Sequence, residues 1–558
     1  MTAGASASRY LRTVAGLRPA QGVHRLRLRG QRAALGRLPA TTPVFRRRGG
    51  AAAPGWPAGF APMDAILADG FPNAEDNAEG RFRFLEDTRE IGAPDGWQQL
   101  TAGRLWRYHL HYFEWAWAFS AHPDRDWARD AFARLWRSWR AGAPVWRGDP
   151  WSPYVVSLRA WAWCGAYEPL VAGSAIEAEW LAAFAAYPRF VRAFLELDVG
   201  GNHLVKNLKA LLGLGVFFGD ERLRRVAGDR LEEQLAVQVL ADGGHYERSP
   251  SYHCQVLGDL LDVQGLLAAA GLPPLAGLGE AIAAMRRWLG AMLMPDGDVP
   301  MFNDCVRVGR RRIEALEPTA PATVEPLILL QPSGYAVMRG GDRLHLVADV
   351  GVPCPSELPA HAHADCLSFE LAVDGERAVV DTGVSTYDAG PQRAYERSTA
   401  AHNTVEIDGA DQTEVWGVFR AARRAKPTLR YAAVDAVAVD AVAGGAVTLA
   451  ASHDGYERLR GRPRHLRTWR VTSAAVEVTD EITGAGAHRV TARFHLTGDA
   501  VRVSSSGPGV TAPSRPAQIA TGFGQRQTGE VIEVAVAAEL PVTLRTRITP
   551  AVTQRRRS

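Results

Sequence analysis

The residues best suited to chemistry crowd into one stretch. Residues 361–404 read HAHADCLSFELAVDGERAVVDTGVSTYDAGPQRAYERSTAAHNT, with three imidazoles (His361, His363, His402) and, among the carboxylates, Asp365 and Asp381 inside 42 positions. Imidazole nitrogens and carboxylate oxygens are what a divalent ion such as zinc takes as ligands, and they are also the groups that pass protons near neutral pH. Spacing alone leaves both readings open. In an extended strand His361, His363 and Asp365 would share one face, so a strand is expected there. The run Glu376 to Val380 is expected to be a second strand that ends at the Asp381 carboxylate. Tyr395 adds a phenol before His402. Taken singly, each histidine is well explained as a satisfied, partly buried polar group; the set of them is not.

Two more stretches carry chemistry in the first half. In GGNHLVKNLKALLGLGVFF (residues 200–218) Asn202 is expected to cap a helix, with Leu204, Leu208, Leu211 and Leu212 as its buried stripe. His203, Lys206 and Asn207 then fall on the other face, at the positive end of the helix dipole, a favourable place for an anion. In DGGHYERSPSYHCQVLGDLLDV (residues 242–263) Ser249 can cap, Pro250 fits the first turn, and Tyr252 is presented at the helix mouth. Trp146, Trp151 and Tyr154 of VWRGDPWSPY suit the apolar faces of sugar rings, although most tryptophans in such a chain are core.

The elements that must position these groups separate by periodicity. From about Trp56 to Ile313 apolar residues recur at three and four positions in segments divided by short Gly, Pro or Asp turns, and fourteen of the sixteen Trp lie before residue 320. Many helices of similar length with short connections suggest an α/α toroid. After PTAPATVEP (residues 318–326) the period becomes two, in YAVMRG, LHLVADV, LSFELAV, RAVVD, TVEID, HLRTWRV, AVEVTDEI and VIEVAVAAEL. With no helical stretch between them, these form an antiparallel β-sandwich. The expected division is a basic arm at 1–50, a helical domain at 51–325 and a β domain at 326–558. A His-x-His strand with a later Asp also fits an amidohydrolase metal site. That site needs a barrel with alternating helices, which the second half lacks.

The net charge of +4 is unevenly spread, since residues 1–50 hold eleven Arg and no Asp, Glu or Lys, leaving −7 for the rest. Such an arm suits a solvated wrap over the next domain or contact with a membrane surface. No aromatic platform accompanies the arginines, which disfavours nucleic acid. No apolar run is long enough to span a bilayer, and Leu11 to Leu28 is too broken by Arg and Pro for a secretory signal. The five cysteines show no paired spacing and are expected as free thiols in a reducing, cytoplasmic compartment.

The motifs GNHLVKN, DGGHYERSPSYH, FND (Phe302 to Asp304), HAHADCLSFEL, VVDTG and RSTAAHNTVEIDGADQTEVWGVFRAARRA, in this order, resemble the heparinase II/III family of polysaccharide lyases, whose relatives include enzymes acting on alginate. The resemblance implies an α/α toroid joined to a β-sandwich, with the site in the cleft between them. It also implies β-elimination on a uronate-containing polysaccharide or oligosaccharide, with loss of the C5 proton, cleavage at C4 and an unsaturated product. Under it, Asn202 and His203 neutralise the uronate carboxylate, Tyr252 protonates the leaving oxygen, His361 serves as base or charge neutraliser, and Tyr395 sits near the substrate. Lys206, Trp146 and Arg397 would bind the chain of sugars. His363, Asp381 and His402 match the family's zinc ligands, with the ion bracing the loop behind His361. Two other classes compete. One is a non-catalytic sugar-binding or exopolysaccharide-biosynthesis accessory protein. The other is a glycoside hydrolase, for which Asp242, Glu247, Asp304 and Asp365 could be nominated but no pair is singled out.

Overall fold

The structure, a computed structural model, describes residues 3–38, 45, 54–67, 73–92, 94–435 and 445–551. Within the basic arm expected at 1–50, Arg46, Arg47 and Arg48 lie outside them, as do residues 49–53. Two compact units emerge, one of residues 18–238 and 255–283, the other of residues 1–17, 239–254 and 284–558. The chain passes between these two units more than once. Residues 239–254 and most of 284–325, helical in sequence pattern or loop, belong with the strands because side chains tie them there. Asp242 Oδ2 accepts from Ser333 N at 2.8 Å, Tyr335 Oη donates to the Arg248 carbonyl at 2.6 Å, and Trp288 Nε1 donates to Ser333 Oγ at 2.9 Å.

The first unit is the expected toroid-like array of helices. Arg125–Gly142 shows why such segments form: Asp124 caps the helix by accepting from Trp127 N at 3.0 Å, and Ala128, Ala131, Phe132, Leu135, Trp136 and Trp139 bury one stripe. Gly201–Phe217 is buried on nearly every face between Pro153–Ala166 and Glu221–Gln238. Two helical stretches of this unit are interrupted. Phe113, at φ 63°, ends Arg104–Tyr112 before Ala116–Ser120, and Pro188 opens a new helix, Tyr187–Ala193, after Glu177–Phe184. Most tryptophans are core, as at Gly165, where a Cβ would stand 2.2 Å from the Trp117 ring.

The second unit is built on two large antiparallel sheets. One runs Pro427–Val434, Val447–His453, Arg464–Val471, Val476–Thr483, Val542–Pro550, Val501–Ser506 in spatial order. The other includes Ala487–Leu496, Glu376–Val379, Phe369–Val373, Leu344–Asp349 and Tyr335–Gly340 as successive neighbours. Alternate residues of both sheets meet in one core, with Leu346, Phe369 and Phe494 facing Leu449, Trp469 and Val478. The basic arm begins with a helix, Ala3–Ala15, counted with this unit: Trp416 Nε1 donates to Thr13 Oγ1 at 3.0 Å, and Arg12 meets Glu414 at 3.1 Å.

The strand expected at His361–Asp365 is absent. Residues 359–368 form a buried loop, and strand geometry starts at Phe369. The loop's backbone groups are taken by scattered partners rather than by a neighbouring strand. His361 O accepts from Asp304 N, His363 N donates to the Asn303 side chain, and Ala364 N donates to Arg397 O. The strand expected next does form, as Glu376–Val379, with Asp381 two residues beyond its end.

Candidate active site

Pro250 opens the helix Pro250–Ala269 and places Tyr252 in its first turn. Ser249, expected as a cap, instead donates its hydroxyl to the Asp304 carbonyl at 3.1 Å. The Tyr252 ring lies over the His361 ring, centroids 4.0 Å apart at 35°. His361 is clamped between two buried carboxylates, its Nε2 3.0 Å from Glu247 Oε2 and its Nδ1 3.1 Å from Asp304 Oδ2. With an oxygen acceptor at each nitrogen, both carry protons. Burial opposes that charge, but Asp304 and Glu247 outweigh it and raise His361 to about 9. A ring held this way is a fixed cation near neutral pH and suits charge neutralisation, not proton abstraction.

Asp304 is the hub of the cluster. It also accepts from His363 Nε2 at 2.8 Å and pairs with Arg393 at 2.5 and 2.8 Å. Burial pushes its carboxyl up, yet the Arg393 charge and the two histidines hold it well below the usual carboxylate range. Asn303 beside it, at φ 56°, donates to the Arg248 carbonyl at 2.9 Å and receives His363 N at 3.1 Å. An asparagine tolerates that backbone and supplies both a donor and an acceptor. Tyr252 Oη is 3.3 Å from Tyr387 Oη, and the Arg393 guanidinium sits 4.9 Å over the Tyr387 ring. Burial, helped by Asp304, drives the Tyr252 phenol far above its ordinary value. It stands as a protonated acid.

Behind His361, ligand atoms of His363, Asp365 and His402 lie within 4.8 Å of one another. His363 Nδ1, Asp365 Oδ1 and His402 Nε2 are all buried with no hydrogen-bond partner. The second atom of each is held from outside: His363 Nε2 by Asp304 at 2.8 Å, Asp365 Oδ2 by Asn303 N at 3.1 Å, and His402 Nδ1 by Asp381 Oδ2 at 2.7 Å. Outer partners that fix the ring and leave the inner nitrogen bare are how histidine ligands are oriented. Two nitrogens and an oxygen fit zinc. Asp381, expected among the ligands, stands one bond further out, its other oxygen receiving Gly383 N at 2.9 Å. Asp365 takes the inner position.

The remaining expected residues divide. Asn202 is not the cap. Gly200 and Gly201, at φ 75° and 55°, turn the chain so that the helix opens at Gly201, and the buried Asn202 accepts from Gln255 at 3.5 Å. His203 stacks on Tyr154 at 4.2 Å with Nδ1 3.2 Å from Glu196. Lys206 is paired with Asp259 at 2.7 Å, and Trp146 packs on Trp151 at 4.2 Å. Arg397, expected to meet substrate, is turned inward as a brace. It is fully buried and donates to the carbonyls of Ala362, Gly417 and Arg420 at 2.8–3.1 Å. The phenol that meets Tyr252 belongs to Tyr387 rather than to Tyr395. Sequence reasoning also passed over Arg393, and it met Asp304 only within the FND motif and among the carboxylates that a hydrolase could use.

The chain belongs to the heparinase II/III family. Residues 94–317 match the family's "Heparinase II/III N-terminus" and residues 322–553 its "Heparinase II/III-like, C-terminal". FtsZ-localized protein C of Caulobacter vibrioides is 30% identical over 384 residues, covering 65% of this chain and 63% of that protein. A heparin-sulfate lyase of Bacteroides stercoris is 24% identical over 304 residues, covering 47% of this chain and 45% of that protein. The chain thus spans about half to two thirds of these relatives. A crystal structure of heparinase III shares the fold, with a TM-score of 0.72 at 19% identity over 93% of this chain and 89% of that one. No helix among the described residues is long and apolar enough to cross a membrane.

Proposed function

We propose that the protein is a lyase that cleaves a uronate-containing polysaccharide or oligosaccharide by β-elimination. The observation that carries this reading is the Tyr252 phenol stacked on the His361 ring, whose two nitrogens are held by Glu247 and Asp304. Elimination needs a base for the C5 proton, an acid for the departing O4 and positive charge where the substrate carboxylate gains electron density. Tyr252 gives its phenol proton to O4 as the C4–O bond breaks and takes the C5 proton in its place, so it leaves the step as it entered; His361 contributes the charge, with Tyr387 as a neighbouring donor. Asn202 and His203 take the carboxylate-neutralising role, Glu196 orienting the His203 ring. His363, Asp365 and His402 would hold a zinc ion, with Asp381 behind them. Its charge would brace the loop that carries His361. No step consumes water, so a metal-bound hydroxide has no task here.

The bare chain, offered a panel of uronate polymers, should generate the ultraviolet absorbance of an unsaturated uronate on at least one of them. Activity only on polymers without uronate would sink the proposal. A second reading, a non-catalytic accessory protein, is favoured by the relative named for its localisation to FtsZ. Tyr10, Leu11 and Val14, exposed on the acid-free helix Ala3–Ala15, give that reading a contact surface for an anionic membrane or a partner. The five buried, unbridged cysteines support action in a reducing compartment such as the cytoplasm. Binding to FtsZ or lipid with no product from any polymer would favour the second reading over the first.

A further inference from the structure

We propose that Arg467 is a positioning residue that clamps the two metal-bearing loops together through a single guanidinium nitrogen. The inference rests on the metal reading given above. Arg467 lies on the strand Arg464–Val471 and is fully buried. Its Nε and Nη2 are taken by Asp480, its cross-strand partner, at 2.6 and 3.0 Å. Asp480 is itself fixed by His465 Nε2 at 2.7 Å. The remaining nitrogen, Nη1, donates to two carbonyls at once: Leu367 at 2.8 Å and Asn403 at 2.5 Å. Leu367 is two residues past Asp365, and Asn403 is the residue after His402. One nitrogen, anchored from the opposite sheet, thus sets the separation of the two loops that between them carry all three candidate ligands.

A buried ion pair of this kind adds little net stability over apolar residues of similar volume. What it does supply is direction, because a guanidinium holding a carboxylate with two of its nitrogens has its third aimed along a fixed line. Lysine, a single point charge, cannot serve Asp480 and both carbonyls together. The neighbouring bonds run the same way. Asn403 Nδ2 donates to the carbonyls of Phe369 and Val380, joining both loops to the chain just before Asp381.

Co2+ offers a probe with a readout apart from turnover, since its visible bands report ligand geometry and its affinity follows from chelator competition. The full-length wild type should take up Co2+. Arg467→Met, if its circular dichroism and melting remain native, should bind Co2+ roughly 10–100-fold more weakly with altered bands, the range seen when support behind a ligand is lost. Arg467→Lys should fall between the two. A folded Arg467→Met with wild-type affinity and unchanged bands overturns the inference. If Arg467→Met does not fold, Asp480→Asn decides, because it keeps the guanidinium and weakens its anchor. Affinity and bands matching wild type in that variant overturn the clamp as well. A wild type that takes up no Co2+ overturns the metal reading, and the clamp falls with it.

Discussion

Both units bury charge, and they bury it differently. In the helical unit Lys209 Nζ sits 2.8 Å from Asp259 and 2.5 Å from Asp262, over the Trp161 ring at 4.3 Å, while Lys206 shares the same Asp259 oxygen at 2.7 Å. Each ammonium there ends on a carboxylate. In the β-rich unit one carboxylate, Asp304, serves His361, His363 and Arg393, and the surrounding set leaves three inward polar atoms without partners. Perturbed, buried charge is therefore not by itself a mark of function. The second cluster is set apart by a phenol stacked on an imidazole that two carboxylates hold, and by atoms of three different side chains left open within ligand distance of one another. The first cluster is a brace.

The sharpest way to break that contrast is Tyr252→Phe. The change deletes one hydroxyl and keeps the ring over His361, so the melting temperature should stay near wild type. If the phenol protonates the leaving oxygen, the initial rate of unsaturated-product formation should drop on the order of 10²–10⁴-fold. A folded variant keeping more than about a tenth of the rate, against that same range, would remove Tyr252 from the chemistry.

Lys209→Met should do the reverse. It strands the buried Asp262 carboxylate and leaves Asp259 with Lys206 alone, and breaking a buried pair on one side costs roughly 3–5 kcal/mol of stability. Urea unfolding should show that loss while the folded fraction turns over substrate at the wild-type kcat. A native melting profile with a large fall in kcat would instead place this cluster in the chemistry and erase the distinction.

Asn202→Ala is the intermediate case. Its amide is proposed to meet a carboxylate present in both ground and transition states, so KM should rise and kcat should fall together. The expected loss in kcat/KM is about 10²-fold, the scale of one removed donor to a developing charge. A change confined to the melting temperature would leave Asn202 as packing near Gln255.

How much of this could be read from the chain depends on the kind of signal. Helix and strand assignments followed from period and punctuation, because burial on one face imposes both. The order of motifs pointed to Tyr252, His361, His363 and His402, and the structure gathers these four into one neighbourhood. The strand at 361–365 failed because alternation predicts a face only when a partner strand exists, and here Asn303 and Arg397 supply the backbone bonds. Arg397 was misread for a related reason. A conspicuous arginine beside His402 satisfies a substrate anion and buried carbonyls equally well on paper. Tyr387 and Arg393 lie 135 and 141 positions from Tyr252, and Asp304 lies 57 from His361, distances over which no local pattern holds information.

The smallest expected effect lies within the brace and concerns the sign of its response to acid. Asp259 is pushed up by burial but brought below its ordinary 3.8 by Lys206 and Lys209. Asp262, with Lys209 as its one cationic partner and Asp64 nearby, stays above 3.8 because burial prevails. A depressed carboxyl adds stability that is present above 3.8 and is lost as pH falls through its folded value. A raised one works in the opposite direction: its contribution is present below 3.8 and is lost as pH rises through its folded value. In the wild type the two partly cancel on acidification. Asp262→Asn should therefore steepen the loss of unfolding free energy between about pH 6 and pH 3, and Asp259→Asn should flatten it. At neutral pH Asp259→Asn should be the costlier change, since one Asp259 oxygen serves two ammoniums. Urea titrations of both variants across that range measure the slopes directly. Equal slopes would mean that the two aspartates share their protons as a single group, and the brace would then be one delocalised pair rather than a strong anion beside a reluctant one.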